Sequence, residues 1–184
     1  MSTIMRRFAV PQEIDGEKIV LKAITKEHTP LIVKWRNNPQ VRQNFIFQDT
    51  FTEEIHNAWM DDKVASGEVV QYIIYTKPLD IAIGSVYLRD VDLEKQKAEF
   101  GIFIGEDLAR GQGYGRIAAQ LICQYGFQQL HLHKIMLRVF ASNTGAIRSY
   151  EHAGFVQEAY LKDEEKIDGK FCDIIYMAMI NPQD

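Results

Sequence analysis

Cysteine is scarce: Cys123 and Cys172 are the only two in 184 residues. They stand far apart and form no C-x-x-C pair, which excludes a disulfide framework and a cysteine zinc site. No apolar run approaches the roughly 18–20 residues of a membrane span, so no membrane partner is expected. Arg6 and Arg7 open the chain without a long apolar segment behind them. A secretory leader is therefore not expected, and a reducing cytoplasm is the default compartment. An excess of cations is lacking too: 21 Lys plus Arg against 25 Asp plus Glu leave a formal charge of −4. That balance argues against a protein that holds nucleic acid on a broad basic surface. Repeats, low-complexity runs and Pro- or Ser-rich linkers are absent, and the length suits one domain over 1–184.

What is present is material for a core, 46% hydrophobic and 11% aromatic, arranged as alternating strand and helix signals. Residues 18–24 (KIVLKAI) read as a first strand. Thr25, followed by Lys26, Glu27 and His28, opens a helix that Asn37-Asn38-Pro39 ends. Thr52 with Glu53, Glu54 and Ile55 starts a second, with Ser66-Gly67 as its stop. Strands are predicted over 69–76, 82–91 and 98–104, with the charged stretch 92–97 as a solvated turn. In the third, Ala98, Phe100, Ile102 and Ile104 share one face, and Glu99, Gly101 and Phe103 the other. The spacing of Tyr114, Ile117, Ala118, Leu121, Ile122 and Tyr125 predicts a long helix. A strand over 134–140 follows, then a helix capped by Asn143 and ended by Gly154. Asp168-Gly169 marks the turn of a last hairpin within the charged stretch 163–170. The class is mixed α/β in a single domain.

Chemistry concentrates in Arg110-Gly111-Gln112-Gly113-Tyr114-Gly115-Arg116, between a strand and the long helix. Glycines permit close backbone approach, and a helix start offers unpaired N–H groups with the positive end of its dipole, a site for phosphate or pyrophosphate. Arg110 and Arg116 add charge. The Walker A pattern is not met, since no Gly-Lys-Ser/Thr follows, and the dinucleotide pattern fails because the third glycine comes too early. On glycines alone, tight strand–helix packing explains the segment equally well.

Arg110-x-x-Gly113-x-Gly115 resembles the R/Q-x-x-G-x-G/A signature of GCN5-related N-acetyltransferases. The segment from Asn143 through Ala146 and Tyr150 to Gly154-Phe155 resembles that family's N-x-x-A-x-x-x-Y-x-x-x-G-F. The resemblance is strong over 99–156. It implies a mostly antiparallel sheet flanked by helices, with acceptor-side helices about 25–67, a cofactor core about 98–156 and a C-terminal hairpin about 156–180. It implies acetyl-CoA as co-substrate, no metal, and a monomer or homodimer. The cofactor would meet Ile102, Phe103, Ile104, residues 110–116 (Arg110, Gly111, Gln112, Gly113, Tyr114, Gly115, Arg116), Asn143, Ala146 and Tyr150. Tyr150 matches the family's catalytic tyrosine, a general acid for the departing thiolate. Glu99 is the candidate base, against a bland role as a surface carboxylate beside Lys95 and Lys97. Backbone N–H groups at a strand irregularity would polarise the acetyl carbonyl. His131 and His133 lack a third ligand nearby, and Cys123 reads as a core residue.

The acceptor is read from Trp35-Arg36-Asn37-Asn38-Pro39-Gln40-Val41-Arg42, which resembles acetyltransferases of UDP-linked 4-amino sugars in pseudaminic-acid-type pathways. A related pattern occurs in ribosomal-protein N-terminal and polyamine acetyltransferases. Trp35, Arg36, Asn37 and Arg42 are thus candidate substrate contacts. Arg36, Arg42, Phe45, Phe47 and Trp59 would suit a nucleotide sugar; Asp49, Glu53, Glu54, Asp61 and Asp62 would suit a polyamine. A non-catalytic acyl-CoA-binding module is the reading from another class.

Overall fold

In the strand rich in isoleucine and tyrosine at 70–76, successive side chains face opposite sides, and both sides are apolar. Val70, Tyr72 and Ile74 enter one buried cluster while Val69 and Ile73 enter another. A strand of this kind needs cover on both faces, and the rest of the chain supplies it. The structure is a computed structural model that describes residues 8–184. Arg6 and Arg7, weighed above for a leader, lie outside the described residues.

Eight strands form one sheet: β1 (Glu13–Asp15), β2 (Ile19–Ala23), β3 (Val70–Thr76), β4 (Ala82–Asp92), β5 (Lys97–Ile104), β6 (Lys134–Phe140), β7 (Val156–Ile167) and β8 (Lys170–Ile180). Their order is β1-β2-β3-β4-β5-β6-β8-β7. Every neighbouring pair is antiparallel except β5–β6. The short β1 has no counterpart in the sequence reading, because three residues carry too little pattern.

The helix α4 (Tyr114–Gln129) covers one face, placing Ala118, Ala119 and Ile122 against Leu88, Phe100 and Ile135. The other face is covered by α1 (Thr29–Asn37), α2 (Pro39–Arg42) and α3 (Glu53–Trp59), around Trp35, Ile73 and Phe103. The last helix, α5 (Thr144–Ala153), packs beside α4. The sequence is read as two N-terminal helices, but the chain breaks into more pieces. Pro39 forces the preceding Asn38 into extended backbone, and Asn38 then caps α2 by accepting from Gln40 N. After α3 the helix continues through a π turn at Met60–Val64 before Gly67 stops it in the left-handed region. Among the described residues no helix is long and apolar enough to cross a membrane.

Trp35 corrects one expectation. It is fully buried, its ring against Phe103 and its Nε1 donating to Glu106 Oε1 at 2.7 Å. A Cβ on Gly105 would fall 2.1 Å from that ring, so the backbone there closes over it. Trp35 is a core residue and not a substrate contact. Removing such a side chain typically costs about 3–5 kcal/mol.

Candidate active site

The parallel pairing of β5 with β6 covers only Lys97, Ala98 and Glu99 against Lys134, Ile135 and Met136. Beyond that point the two strands part, while β5 keeps its regular ladder to β4 as far as Ile104. Residues 100–104 therefore have no strand partner on the β6 side, and their edge faces a cleft of about 1420 Å³. No register irregularity falls within 100–104; the register of β4 with β5 shifts near Arg89 and Asp92. The opening comes from the splay.

One end of the cleft is the glycine loop. Gly111 and Gly113 hold φ of +72° and +82°, a region that side chains with a Cβ rarely adopt. Gly113 is the N-cap of α4 and offers no side chain to its first N–H groups, which leaves them open for a ligand. Gly115 differs: it has ordinary helical backbone, and an added Cβ would come no closer than 3.8 Å to Ile102. Arg110 is occupied as a brace, its Nε donating to Ile104 O at 3.1 Å and its Nη1 meeting Asp107 and Gln40. Arg116 and Arg148 are exposed at the cleft and form no ion pair among the described residues. At the glycine-loop end they are the exposed cations left for an anionic ligand, beside the buried Arg110 Nη2, which has no hydrogen-bond partner among the described residues. A smaller hollow of about 200 Å³ between α4 and the C-terminus has no charged lining and cannot serve that role.

Tyr150, on α5, stands edge-on to Phe100 at 5.8 Å and Phe155 at 6.1 Å. Burial, with Tyr87 nearby, pushes its hydroxyl above the ordinary tyrosine value, so it keeps its proton. Among the described residues that hydroxyl has no hydrogen-bond partner, and Tyr150 lines the cleft. Asn143 accepts from Ala146 N to cap α5 and donates to Asn44 across the cleft at 3.1 Å.

Glu99 lies in the cleft and not among Lys95 and Lys97. Its Oε1 accepts from Arg89 at 2.8 Å and from Arg138 at 3.0 Å, tying β4, β5 and β6 together where the strands part. Oε2 carries no hydrogen bond among the described residues. Arg89 and Arg138 were missed by the sequence reading. Their signal is a charge inside an otherwise apolar strand, as in KIMLRVF, where Ile135, Leu137 and Val139 are buried on the opposite face.

The remaining end is aromatic. Arg36 lies over Phe45, 3.4 Å from the ring centroid, and 5.0 Å from that of Phe51. Phe45 in turn stacks edge-on to Phe103 of β5. His56, which the sequence reads as a polar surface residue like His28 and His152, is instead buried and lines the cleft, and burial lowers it to about 4, so it is neutral at pH 7. Thr29 donates to Asn57 Oδ1 and accepts from His56 Nδ1 at 2.8 Å, which leaves Nε2 as a lone-pair acceptor without a partner.

Of the candidate substrate contacts only Arg36 faces the cleft. Asn37 instead clamps Phe51 through its backbone N and O, and Arg42 donates to Gln48 O; both shape the loop before α3. Phe45, Phe47 and Trp59 do line the cleft. Of the five carboxylates considered for a polyamine, Asp62 alone does so, and it lies 3.6 Å from Lys63. The cofactor candidates Ile102, Phe103, Ile104, residues 110–116, Asn143 and Ala146 all line the same cleft. Among the described residues no group of three His, Cys, Asp or Glu side chains is placed to hold a metal.

The family model for the acetyltransferase (GNAT) domain matches residues 18–156. Spermidine N(1)-acetyltransferase of Vibrio cholerae is 29% identical over 170 residues, 90% of this chain and 94% of that protein. An uncharacterized N-acetyltransferase, p20 of Bacillus licheniformis, is 26% identical over 170 residues, 89% of this chain and 93% of that one. Among solved structures, spermidine N-acetyltransferase from Vibrio cholerae in complex with CoA and spermine superposes with a TM-score of 0.83 at 24% identity, covering 90% and 97% of the two chains. That enzyme's dodecameric structure gives 0.75 at 26% identity, covering 91% and 96%.

Proposed function

The chain belongs to the GNAT acetyltransferase family, and from that premise we propose that it transfers the acetyl group of acetyl-CoA to a primary amine of a small molecule in the cleft described above. The observation that carries this is the joining of an open, cation-flanked helix start to a half-buried, protonated tyrosine along one unpaired strand edge. Residues 98–156 supply the cofactor side, the helices within 25–67 the acceptor side, and the hairpin of 156–180 the outer edge.

The glycine loop fits the pyrophosphate of acetyl-CoA because its open N–H groups and Arg116 and Arg148 supply donors and charge. The unpaired edge of β5 fits an amide-bearing arm, which adds as an extra strand would. Chemistry then needs two proton movements. A primary amine has a pKa of about 10.4 in water and must lose a proton before its lone pair attacks the thioester carbon. Glu99 Oε2, a cleft carboxylate atom on the strand with the open edge that carries no hydrogen bond among the described residues, takes that proton, directly or through a water. As the carbon–sulfur bond breaks, the thiolate takes a proton from the Tyr150 hydroxyl. No bond between enzyme and acetyl group is required.

The nucleotide sugar suggested by the segment at 33–42 gains no support from the relatives. Two of that segment's expected contacts, Asn37 and Arg42, hold a loop, and Trp35 is in the core. A polyamine has the better support, because a relative that matches nearly the whole chain is a spermidine N(1)-acetyltransferase. A dodecameric relative likewise supports an assembly larger than the monomer or homodimer expected from the sequence. A second reading of the acceptor is favoured by charge: in the acceptor half the cleft is lined by the cations Arg36, Lys63, Arg89 and Arg138 and, among the described residues, by two carboxylates, Glu99 and Asp62. CoA release measured over a panel of polyamines, amino acids, amino-sugar nucleotides and N-terminal peptides tests the transferase reading. Saturable acetyl-CoA binding without turnover on any of them would mark a binding module instead.

A further inference from the structure

Arg36 differs from every other cation at the cleft. Arg89 and Arg138 share Glu99, and Lys63 meets Glu68 at 2.8 Å. Arg110 has a buried nitrogen, Nη2, with no hydrogen-bond partner among the described residues, but its charge is paired with Asp107. Arg116 and Arg148 are exposed, so water satisfies them. Arg36 is only 9% exposed and has no carboxylate partner among the described residues. Its Nη1 has no hydrogen-bond partner at all, and its Nη2 makes one long contact, 3.4 Å, to Phe47 O. Phe45 and Phe51 supply two aromatic faces, which offset only part of the cost of desolvating the cation. Leaving a buried guanidinium otherwise unpaired costs more than the rings offset. Such a group is retained where a ligand completes it.

We propose that Arg36 binds an anionic oxygen group, carboxylate or phosphate, carried by the acceptor itself, so that this enzyme acetylates amines that bear an acid. The inference rests on the transferase reading above and concerns which amine enters. Its geometry follows from position: Arg36 stacks on Phe45, Phe45 stacks on Phe103, and Phe103 belongs to the strand whose open edge faces the cofactor. The anion thus sits at the aromatic end, with the amine toward β5. His56 flanks the same Phe51 ring, centroids 6.3 Å apart, and its bare Nε2 suits an N–H or O–H of the acceptor beside the anion. A polycation gains nothing here, since a second ammonium at this end would face Arg36.

The test is acetyl-CoA-dependent CoA release with β-alanine, phosphoethanolamine, propylamine and spermidine on the full-length enzyme. The better of the two acid-bearing amines should exceed propylamine in kcat/KM by about tenfold or more, the worth of one charge-assisted contact. The ratio of β-alanine to phosphoethanolamine distinguishes carboxylate from phosphate. Arg36→Gln should erase the advantage over propylamine while the KM for acetyl-CoA, which reports an intact fold, stays in place; Arg36→Lys should retain part of it. If Arg36→Gln does not fold, the wild-type ratios decide alone. Spermidine leading in the wild type, with acid-bearing amines no better than propylamine, overturns the proposal and leaves the transferase reading standing. No CoA release with any amine, despite acetyl-CoA binding, overturns both.

Discussion

Along the cofactor half of the cleft the surface offered to a ligand is main chain: the free edge of β5 at 100–104, the bend at Gly111 and Gly113, and the first turn of α4. In the acceptor half it is side chain. Arg36, Phe45, His56, Arg89, Glu99 and Arg138 arrive from helices, a loop and three strands. Main-chain recognition constrains the sequence only where backbone geometry demands glycine, and it tolerates change elsewhere. Side-chain recognition is altered by any single replacement. A shared cofactor half is therefore compatible with many acceptors, and the fold alone does not select among them.

The seam between the halves is where the largest effects are expected. Tyr150→Phe removes a hydroxyl that has no hydrogen-bond partner among the described residues, so stability should hardly move. If that hydroxyl protonates the thiolate, kcat should fall by about 10²–10³-fold with the KM for acetyl-CoA nearly unchanged. Glu99→Gln should lower kcat/KM by about 10²-fold. It should also cost roughly 2 kcal/mol in urea unfolding, because Arg89 and Arg138 lose the negative charge they share. Activity and pH profile both unchanged in that variant would leave Glu99 as a clamp and nothing more.

The contrast also accounts for what was legible in the sequence. Strand and helix periods placed most of the sheet, because residues such as Tyr72, Ile73 and Ile74 must each face a covered side. The glycine loop, Asn143 and Tyr150 were legible as spacing, since backbone geometry and helix register fix them locally. The acceptor half was not. Trp35 and Arg36 are adjacent on one helix, yet a turn of about 100° sends one into the core and the other into the cleft. Arg89 and Arg138 come together only through the β4-β5-β6 order, a long-range fact that no local window contains.

Within the cofactor half, two glycines separate conformation from space. Gly113→Val forces a β-branched residue to φ +82°, a strain of about 1–3 kcal/mol that the bound loop must carry. The KM for acetyl-CoA should rise about tenfold or more. Gly115→Ala meets only ordinary contacts and should change that KM little. Equal effects at both positions would mean that crowding, not backbone conformation, is what the loop's glycines avoid.

In the acceptor half, His56 makes pH the probe. Its native value of about 4 lies below the ordinary 6.5, so between those values the unfolded chain takes up a proton that the native protein refuses. The stability due to a neutral His56 is complete above about pH 6.5 and is lost as pH falls toward 4, by about 2–3 kcal/mol in all. Melting temperature measured from pH 7 to pH 4.5 should therefore drop by several degrees more in the wild type than in His56→Gln. Parallel curves would mean that His56 charges without penalty.

The smallest expected effect brings the two halves back together through salt. Arg148 is exposed and unpaired at the cofactor end, so Arg148→Gln should raise the KM for acetyl-CoA only about threefold at low ionic strength. Exposed charges are screened beyond roughly 3 Å at 1 M salt, and the difference between wild type and variant should vanish there. Arg36 is buried between aromatic rings and excluded from that screening. Its effect on acceptor choice should survive at 1 M salt while that of Arg148 on the cofactor disappears. Loss of both together would place Arg36 in contact with solvent and remove the physical basis for its unpaired charge to select a ligand.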